Sequence, residues 1–168
     1  GKLSRDSACA GIDPAGTLPV TLDVGTNNKE LLDDPLYLGI RRERLRGEAY
    51  DAFIEEFIQA AIARWPKVLI QWEDFTNDKA FPLLNRYRDK VLCFNDDIQG
   101  TGAVALAGLL ASMRIRNEQL SDQRIVFCGA GSAAVGIADM ICAGIADEHS
   151  MTTDDARKLV WMCDSRGL

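Results

Sequence analysis

A glycine-rich turn between an apolar strand and an apolar helix limits the folds that are open to this chain. The sequence RIVFC precedes GAGSAA, and a long run of apolar and small residues follows it. In a G-x-G-x-x-G/A pattern, the first glycine makes a tight turn and the second lets a pyrophosphate approach the helix N-terminus. This context predicts a dinucleotide-binding βα unit, and a glycine-rich turn without a ligand is the alternative.

Cofactor binding is assigned to residues of this turn and to one acidic residue beyond it. The candidates are Gly129, Gly131, Ser132, Ala133, Ala134 and Asp164. Ala134 allows close packing of the helix on the sheet, and Asp164 would meet a ribose hydroxyl, which favours NAD over NADP. Asp164 lies farther along the chain than the usual ~20 residues, which predicts a longer connection between the strands.

Apolar runs and helical periodicity alternate along the 168 residues. Strands are predicted at 18–25, 67–74, 91–94 and 124–128, and helices between 50 and 62 and from about 102 to 113. Pro66 is expected to stop the first of these helices. The order of strand, helix and strand predicts an α/β fold with parallel sheets and helices on both faces.

A domain boundary is predicted where polar residues end the strand at 91–94 and a new βα series begins. This gives domains 1–95 and 96–168. The final run, KLVWMCDSRGL, predicts a last strand after which a parallel sheet would be incomplete. We therefore expect the chain to be a piece of a longer polypeptide.

Pairs of carboxylates follow two of the predicted strands. Glu73 and Asp74 end one strand, and Asp96 and Asp97 follow the next. Because the carboxyl ends of neighbouring parallel strands face one crevice, these side chains could converge there. Their repulsion would require a cation, and an all-oxygen set favours Mg²⁺ or Mn²⁺ over zinc. Solvated loop carboxylates or helix caps are the alternative, and NDDIQGT also has the pattern of a cap.

The charge and composition argue against several classes of partner. The net charge is −6 and there is no long Lys/Arg run, so we expect no nucleic-acid partner and no anionic membrane patch. No apolar run looks long enough to span a bilayer and no signal peptide is evident, which predicts a cytoplasmic protein. With one histidine, a catalytic triad or a zinc site would lack a second imidazole.

The chain resembles the malic enzyme family over essentially its whole length. The matching stretches are GKL, ACAGIDPAGTLPVTLDVGTNN, LLDDPLYLG, LIQWEDF, FNDDIQGTGAVALAGLL and FCGAGSAAVGIA. The resemblance implies part of the malic catalytic domain followed by the start of a Rossmann-like NAD(P)-binding domain. It also implies an oxidoreductase that converts L-malate to pyruvate and CO₂ with Mn²⁺ or Mg²⁺, and a homodimer or homotetramer.

The resemblance further implies roles for individual residues. Glu73, Asp74 and Asp97 match the metal ligands, Lys2 matches the lysine base of the G-K-L motif, and Asp96 matches its hydrogen-bonding companion. After G-K-L this chain reads SRDSACAGI, where relatives more often have a leucine and a tyrosine. The family's catalytic tyrosine and its substrate-binding arginine and asparagines have no match here, so we expect the isolated chain to be inactive.

Two other functions are compatible with these residues. A malolactic enzyme shares the motifs but retains the nicotinamide and releases lactate. A noncatalytic nucleotide-binding or oligomerisation module would keep the fold without the reaction.

Overall fold

The chain folds as two units that divide after Arg64. The structure is a computed structural model and describes residues 2–165 and 167. The domain boundary expected between residues 95 and 96 stays a prediction.

The first unit contains the long helix that was predicted between residues 50 and 62. Its α-helices are α1 (Lys2–Ala10), α2 (Lys29–Asp33) and α3 (Gly47–Arg64). Tyr50, Ile54 and Ile58 lie four residues apart on α3 and are buried, as expected for one face of a helix. The helix ends at Arg64 because the residue before Pro66 is disfavoured in the α conformation.

The buried strand predicted for residues 18–25 is wrong. The segment joins no strand among the described residues, and Leu18 and Val20 are 65% and 51% exposed. Its end is held by a side chain, because the Asp23 carboxylate accepts hydrogen bonds from the N–H groups of Gly25 and Ile40 at 2.9 and 2.7 Å. Gly25 has a φ of 82°, a conformation that favours glycine at the end of this segment.

The second unit contains two pairs of parallel strands among its described residues. Its elements are β1 (Ile70–Trp72), α4 (Asn77–Tyr87), β2 (Cys93–Asn95), α5 (Thr101–Arg116), β3 (Ile125–Cys128), α6 (Ser132–His149), α7 (Thr153–Arg157) and β4 (Val160–Cys163). β1 pairs with β2, and β3 pairs with β4. Each parallel pair is joined by a helical crossover, as parallel pairing requires. The predicted α/β class is confirmed.

Helix α4 was not predicted from the sequence. Pro82 lies inside it and removes one backbone donor, so the sequence of this segment does not predict a helix. The helix forms because packing outweighs this loss: Ala80, Leu83, Leu84 and Tyr87 are all buried. It supplies the crossover between β1 and β2.

Apolar side chains of α6 form the centre of the core around β3 and β4. The buried cluster consists of Leu120, Ile141, Cys142, Ile145 and Ala156. Full burial of a leucine or isoleucine side chain contributes about 1.5–3 kcal/mol, so this helix is fixed mainly by packing. It ends where Ser150 adopts a left-handed φ of 50°.

Residues 96–116 form a helical segment that is long and apolar enough to cross a membrane by length and composition alone. An 18-residue stretch within it has a mean hydropathy of 1.3, and 11% of that stretch is buried. The expectation that no run reaches this length is therefore wrong. Such a segment is weak evidence for a membrane, because core helices of soluble proteins can have the same composition. The absence of a membrane partner stays a prediction.

Two glycines allow close packing of the residues after β2 against α6. A Cβ at Gly136 would collide with the backbone of Ile98, and a Cβ at Gly102 would lie 2.9 Å from the carbonyl oxygen of Gly136. Backbone atoms cannot turn aside as a flexible side chain can. The start of α5 and the turn before it therefore rest directly on α6.

We expect Gly136→Ala to lower the free energy of unfolding of the full-length protein by roughly 1–3 kcal/mol, because the added carbon overpacks this contact. The matched control is Gly108→Ala in α5, where a Cβ meets nothing within 4 Å. That substitution should raise stability by up to about 1 kcal/mol through helix propensity. Urea denaturation measures both values, and equal effects of the two substitutions would contradict the close contact.

The Asp23 carboxylate predicts a pH-dependent contribution to stability. Hydrogen bonds from the backbone N–H groups of Gly25 and Ile40 hold the pKa of Asp23 below its ordinary value of 3.8. Because the folded pKa is the lower one, the stabilisation is present above pH 3.8 and is lost as the pH falls below that value. Asp23→Ala should lower Tm at neutral pH, and its difference from the wild type should shrink in acid. Thermal melts across pH test this, and a pH-independent difference would contradict it.

Candidate metal and cofactor site

The register of β1 and β2 brings the predicted acidic residues to one edge of the sheet. Trp72 lies opposite Asn95, and each is the last residue of its strand, so the two carboxylate pairs that follow them start side by side. Oxygen atoms of Glu73, Asp74 and Asp97 lie within 4.8 Å of one another. The structure thus brings together the three residues that were predicted as metal ligands, which we call the carboxylate cluster.

Asp74 has a backbone conformation that is uncommon for a residue other than glycine. Its φ is 61°, and its N–H donates a hydrogen bond to Oδ2 of Asp97 at 2.9 Å. Backbone conformations of this kind cost on the order of 1–3 kcal/mol and are concentrated at functional sites. The bond ties the end of β1 to the residues after β2 and fixes the position of Asp97.

A π-helical turn, Asp96–Gly100, connects β2 to α5. The N–H of Thr101 donates to the carbonyl oxygen of Asp96, five residues earlier. The buried Asn95 side chain accepts from the N–H of Ile98, and the Gln99 side chain accepts from the N–H of Asn95, both at 2.9 Å. This reciprocal pattern resembles a capping box. NDDIQGT is therefore a helix cap, as one interpretation predicted, and its cap also orients the carboxylates.

The donor set fits a hard divalent cation. All three groups offer oxygen, the ligand that Mg²⁺ and Mn²⁺ prefer, and no nitrogen or sulfur atom is among them. Glu73 and Asp97 are half-buried and Asp74 is exposed, which leaves an open side for water or a substrate oxygen. Three carboxylates at this separation repel one another, so a cation would offset an unfavourable interaction.

The two predicted catalytic residues lie in different units. Asp96 is half-buried beside the carboxylate cluster, and its carboxylate occupies the space that a Cβ at Gly100 would need. Lys2 begins α1 in the first unit and is exposed. The pairing of Lys2 with Asp96 stays a prediction.

The glycine-rich turn follows β3 as predicted. Gly129 has a φ of 130°, and its N–H donates to the carbonyl oxygen of Cys163 at 2.7 Å. A Cβ at Gly131 would meet nothing within 4 Å, so the space beside this backbone is open. Ser132, Ala133 and Ala134 form the first turn of α6. This arrangement of open backbone and helix N-terminus fits the pyrophosphate of a dinucleotide.

Asp164 lies directly after β4, at the same edge as the glycine-rich turn. Cys128 lies opposite Cys163 in the parallel pair, so Asp164 follows beside Gly129. The residue is exposed, and its backbone exchanges hydrogen bonds with Gly167. The crossover through α6 and α7 accounts for the long spacing and confirms the predicted longer connection. Its contact with a ribose stays a prediction.

Two residues at this site were missed in the sequence. Oδ1 of Asn77 accepts a hydrogen bond from the N–H of Ser132 at 2.8 Å, across 55 residues. In the sequence, Asn77 shows only the pattern of a helix start. Gly136 was also missed, although a further glycine one turn into the helix is a signal for close packing.

We expect Asp97→Asn to change stability in opposite directions with and without a cation. The substitution removes one negative charge but keeps an oxygen that can accept from the Asp74 N–H. In EDTA the variant should be more stable than the wild type, by on the order of 1 kcal/mol, because repulsion is relieved. With saturating Mn²⁺ it should be less stable, because the wild type gains more from binding. Urea unfolding of the full-length protein measures both, and the same sign in both conditions would contradict the metal assignment.

The chain matches two protein-family models. "Malic enzyme, N-terminal domain" matches residues 1–88, and "Malic enzyme, NAD binding domain" matches residues 98–168. The first model alone covers more than half of the chain, and the second includes the glycine-rich turn and α6.

Curated relatives and a solved structure agree with these matches. The NAD-dependent malic enzymes of Cronobacter sakazakii and Erwinia tasmaniensis are 55% and 56% identical to this chain over all 168 residues. The chain spans 30% of the length of each. The crystal structure of Entamoeba histolytica malic enzyme aligns with a TM-score of 0.57 and 26% identity, covering 77% of this chain and 25% of that one. By sequence and by fold, this chain belongs to the malic enzyme family.

Proposed function

We propose that this chain supplies the metal ligands and the start of the cofactor domain of an enzyme that oxidatively decarboxylates L-malate. The products are pyruvate, CO₂ and reduced NAD. The convergence of Glu73, Asp74 and Asp97 within 4.8 Å carries the proposal. The names of the relatives, NAD-dependent malic enzymes, support the reaction and the cofactor.

The carboxylate cluster would hold Mn²⁺ or Mg²⁺ at the edge of the β1–β2 pair. When bound, the cation supplies Lewis-acid polarisation of the substrate oxygens, and NAD accepts a hydride. Glu73 accepts a hydrogen bond from the Gln71 side chain at 3.3 Å, and Asp97 accepts one from the Asp74 N–H at 2.9 Å. These contacts fix the ligands before substrate arrives, which lowers the cost of organising the site.

Lys2 and Asp96 are the candidate residues for removing the proton of the substrate hydroxyl. By the family resemblance, Lys2 would take the proton from the C2 hydroxyl as a hydride leaves C2, and Asp96 matches the companion of this base. The C3–C4 bond then breaks with loss of CO₂, and its electron pair passes towards the C2 carbonyl group. Protonation at C3 completes pyruvate, through an acid that the family resemblance places outside this sequence.

The first turn of α6 would bind the cofactor pyrophosphate. Backbone N–H groups at a helix N-terminus favour an anion, and Gly131 leaves the approach open. Asp164 would accept a hydrogen bond from a ribose hydroxyl of NAD. Its negative charge would repel the 2′-phosphate of NADP, which supports NAD as the cofactor.

We also propose that the full-length enzyme is a cytoplasmic homodimer or homotetramer without nucleic-acid or membrane partners. Family resemblance supports the assembly, and the net charge of −6 supports the absence of polyanionic partners.

An assay of the full-length enzyme with L-malate, Mn²⁺ and either NAD or NADP tests the reaction. We expect NAD reduction together with pyruvate. Asp97→Ala should lower kcat/KM by at least about 100-fold, because it removes a ligand from the metal. Asp89→Ala, which removes an exposed carboxylate after α4, is the control and should keep wild-type activity.

The products distinguish the other functions. Lactate without net cofactor reduction would assign the enzyme to the malolactic reaction. Metal and NAD binding without turnover of malate would support a noncatalytic module.

A further inference from the structure

The segment that carries two of the candidate metal ligands also reaches the helix that begins the cofactor site. Only Phe75 and Thr76 separate Asp74 from Asn77. Oδ1 of Asn77 accepts a hydrogen bond from the N–H of Ser132, the first residue of α6, at 2.8 Å. One side chain therefore joins the carboxylate cluster to the phosphate end of the candidate cofactor site.

The short segment between these two sites is held on both sides. The Asp74 N–H is bonded to Asp97, and the Phe75 ring packs edge-on against Trp72 with ring centroids 5.6 Å apart. Phe75 also packs on the buried cluster of Ala80, Leu84 and Ile98. A segment fixed in this way can pass a displacement of Asp74 on to Asn77.

Helix α6 has a second contact, with the turn that carries the third candidate metal ligand, Asp97. One turn after Ser132, Gly136 rests against the backbone of Ile98. Ile98 belongs to the turn that carries Asp97, and its N–H is bonded to the buried side chain of Asn95. The segments on which the metal ligands lie thus contact α6 at its first residue and one turn later.

The first N–H group of α6 takes its hydrogen-bond acceptor from another helix. The first N–H groups of a helix lack partners within it, and a serine, threonine or aspartate at the N-cap usually supplies one. Here the N-cap residue is Gly131, which has no side chain and leaves the backbone open to a phosphate. Asn77 supplies an acceptor to the first of these N–H groups, that of Ser132, from the segment that carries Glu73 and Asp74.

We propose that Asn77 is a positioning residue that couples cation binding to cofactor binding. Because the three carboxylates repel one another, a cation at the carboxylate cluster draws them together and shifts the held segment from Glu73 to Asn77 with them. Asn77 then places the first turn of α6 for the pyrophosphate. Mn²⁺ then raises the affinity for NAD, and by reciprocity NAD raises the affinity for Mn²⁺ by the same factor. The inference rests on the proposed function.

Calorimetric titration of the full-length enzyme with NAD, in EDTA and in saturating Mn²⁺, tests the coupling without turnover. The ratio of the two Kd values is the coupling factor, and we expect at least about fivefold in the wild type. Asn77→Ala should reduce this factor to about one, mainly by weakening binding in Mn²⁺. Asn85→Ala, which changes an exposed asparagine of the same helix, should keep the wild-type factor.

Hydrogen–deuterium exchange gives a second readout. Mn²⁺ should slow exchange in a peptide spanning residues 129–138 of the wild type, and this effect should be lost in Asn77→Ala. Asn77→Asp keeps an acceptor for the Ser132 N–H, and a carboxylate is favourable at a helix N-terminus. It should keep the coupling factor although its charge weakens NAD binding in both conditions, and it tests the proposal if Asn77→Ala does not fold.

Two outcomes would overturn the coupling. One is a wild-type coupling factor of one. The other is an unchanged coupling factor in Asn77→Ala; if NAD affinity then falls equally in EDTA and in Mn²⁺, Asn77 is a structural cap only. Each leaves the proposed function intact if the wild-type enzyme oxidises malate. A wild-type enzyme that does not oxidise malate would overturn the proposed function, and this inference with it.

Discussion

The parallel register of β1 and β2 is the constraint on which the candidate site depends. Trp72 lies opposite Asn95, and a shift of one residue would turn every following side chain to the other face. The buried Asn95, with its bond to Ile98, and the bond from the Asp74 N–H to Asp97 both oppose such a shift. The residues that would bind a cation therefore also help to align the strands.

The charge and the backbone conformation at the carboxylate cluster are locally unfavourable, and packing elsewhere in the second unit maintains them. Three negative groups lie together, and Asp74 has a positive φ of 61°. Buried contacts beside this cluster hold the turn after β2 against α4, because Ile98 packs with Ala80 and Leu84. The backbone of Ile98 also rests against Gly136 of α6. A site with such costs persists only where the surrounding structure determines its conformation.

Local sequence was sufficient for the features that depend on neighbouring residues. The strand, glycine-rich turn and helix of residues 124–134 were predicted from spacing. Parallel-sheet geometry predicted that the carboxylate pairs 73–74 and 96–97 could converge, and the family resemblance selected Glu73, Asp74 and Asp97 among them. The predictions that were wrong or missing concern contacts between distant residues, or a helix whose sequence pattern is interrupted by proline. The segment 18–25 forms no strand and is held by the hydrogen bond from the Ile40 N–H to Asp23. Pro82 hid α4, and the Asn77–Ser132 hydrogen bond spans 55 residues.

The π-helical turn between β2 and α5 limits how this sequence can change in length. A π turn closes its hydrogen bond over one residue more than an α turn, and each residue rotates the helix by about 100°. Loss of one residue from Asp96–Gly100 would turn α5 relative to β2. Either Asp97 would then face away from Glu73, or Gly102 would lose its place on Gly136. Insertions and deletions are therefore expected in the surface loops of this lineage and not in this turn.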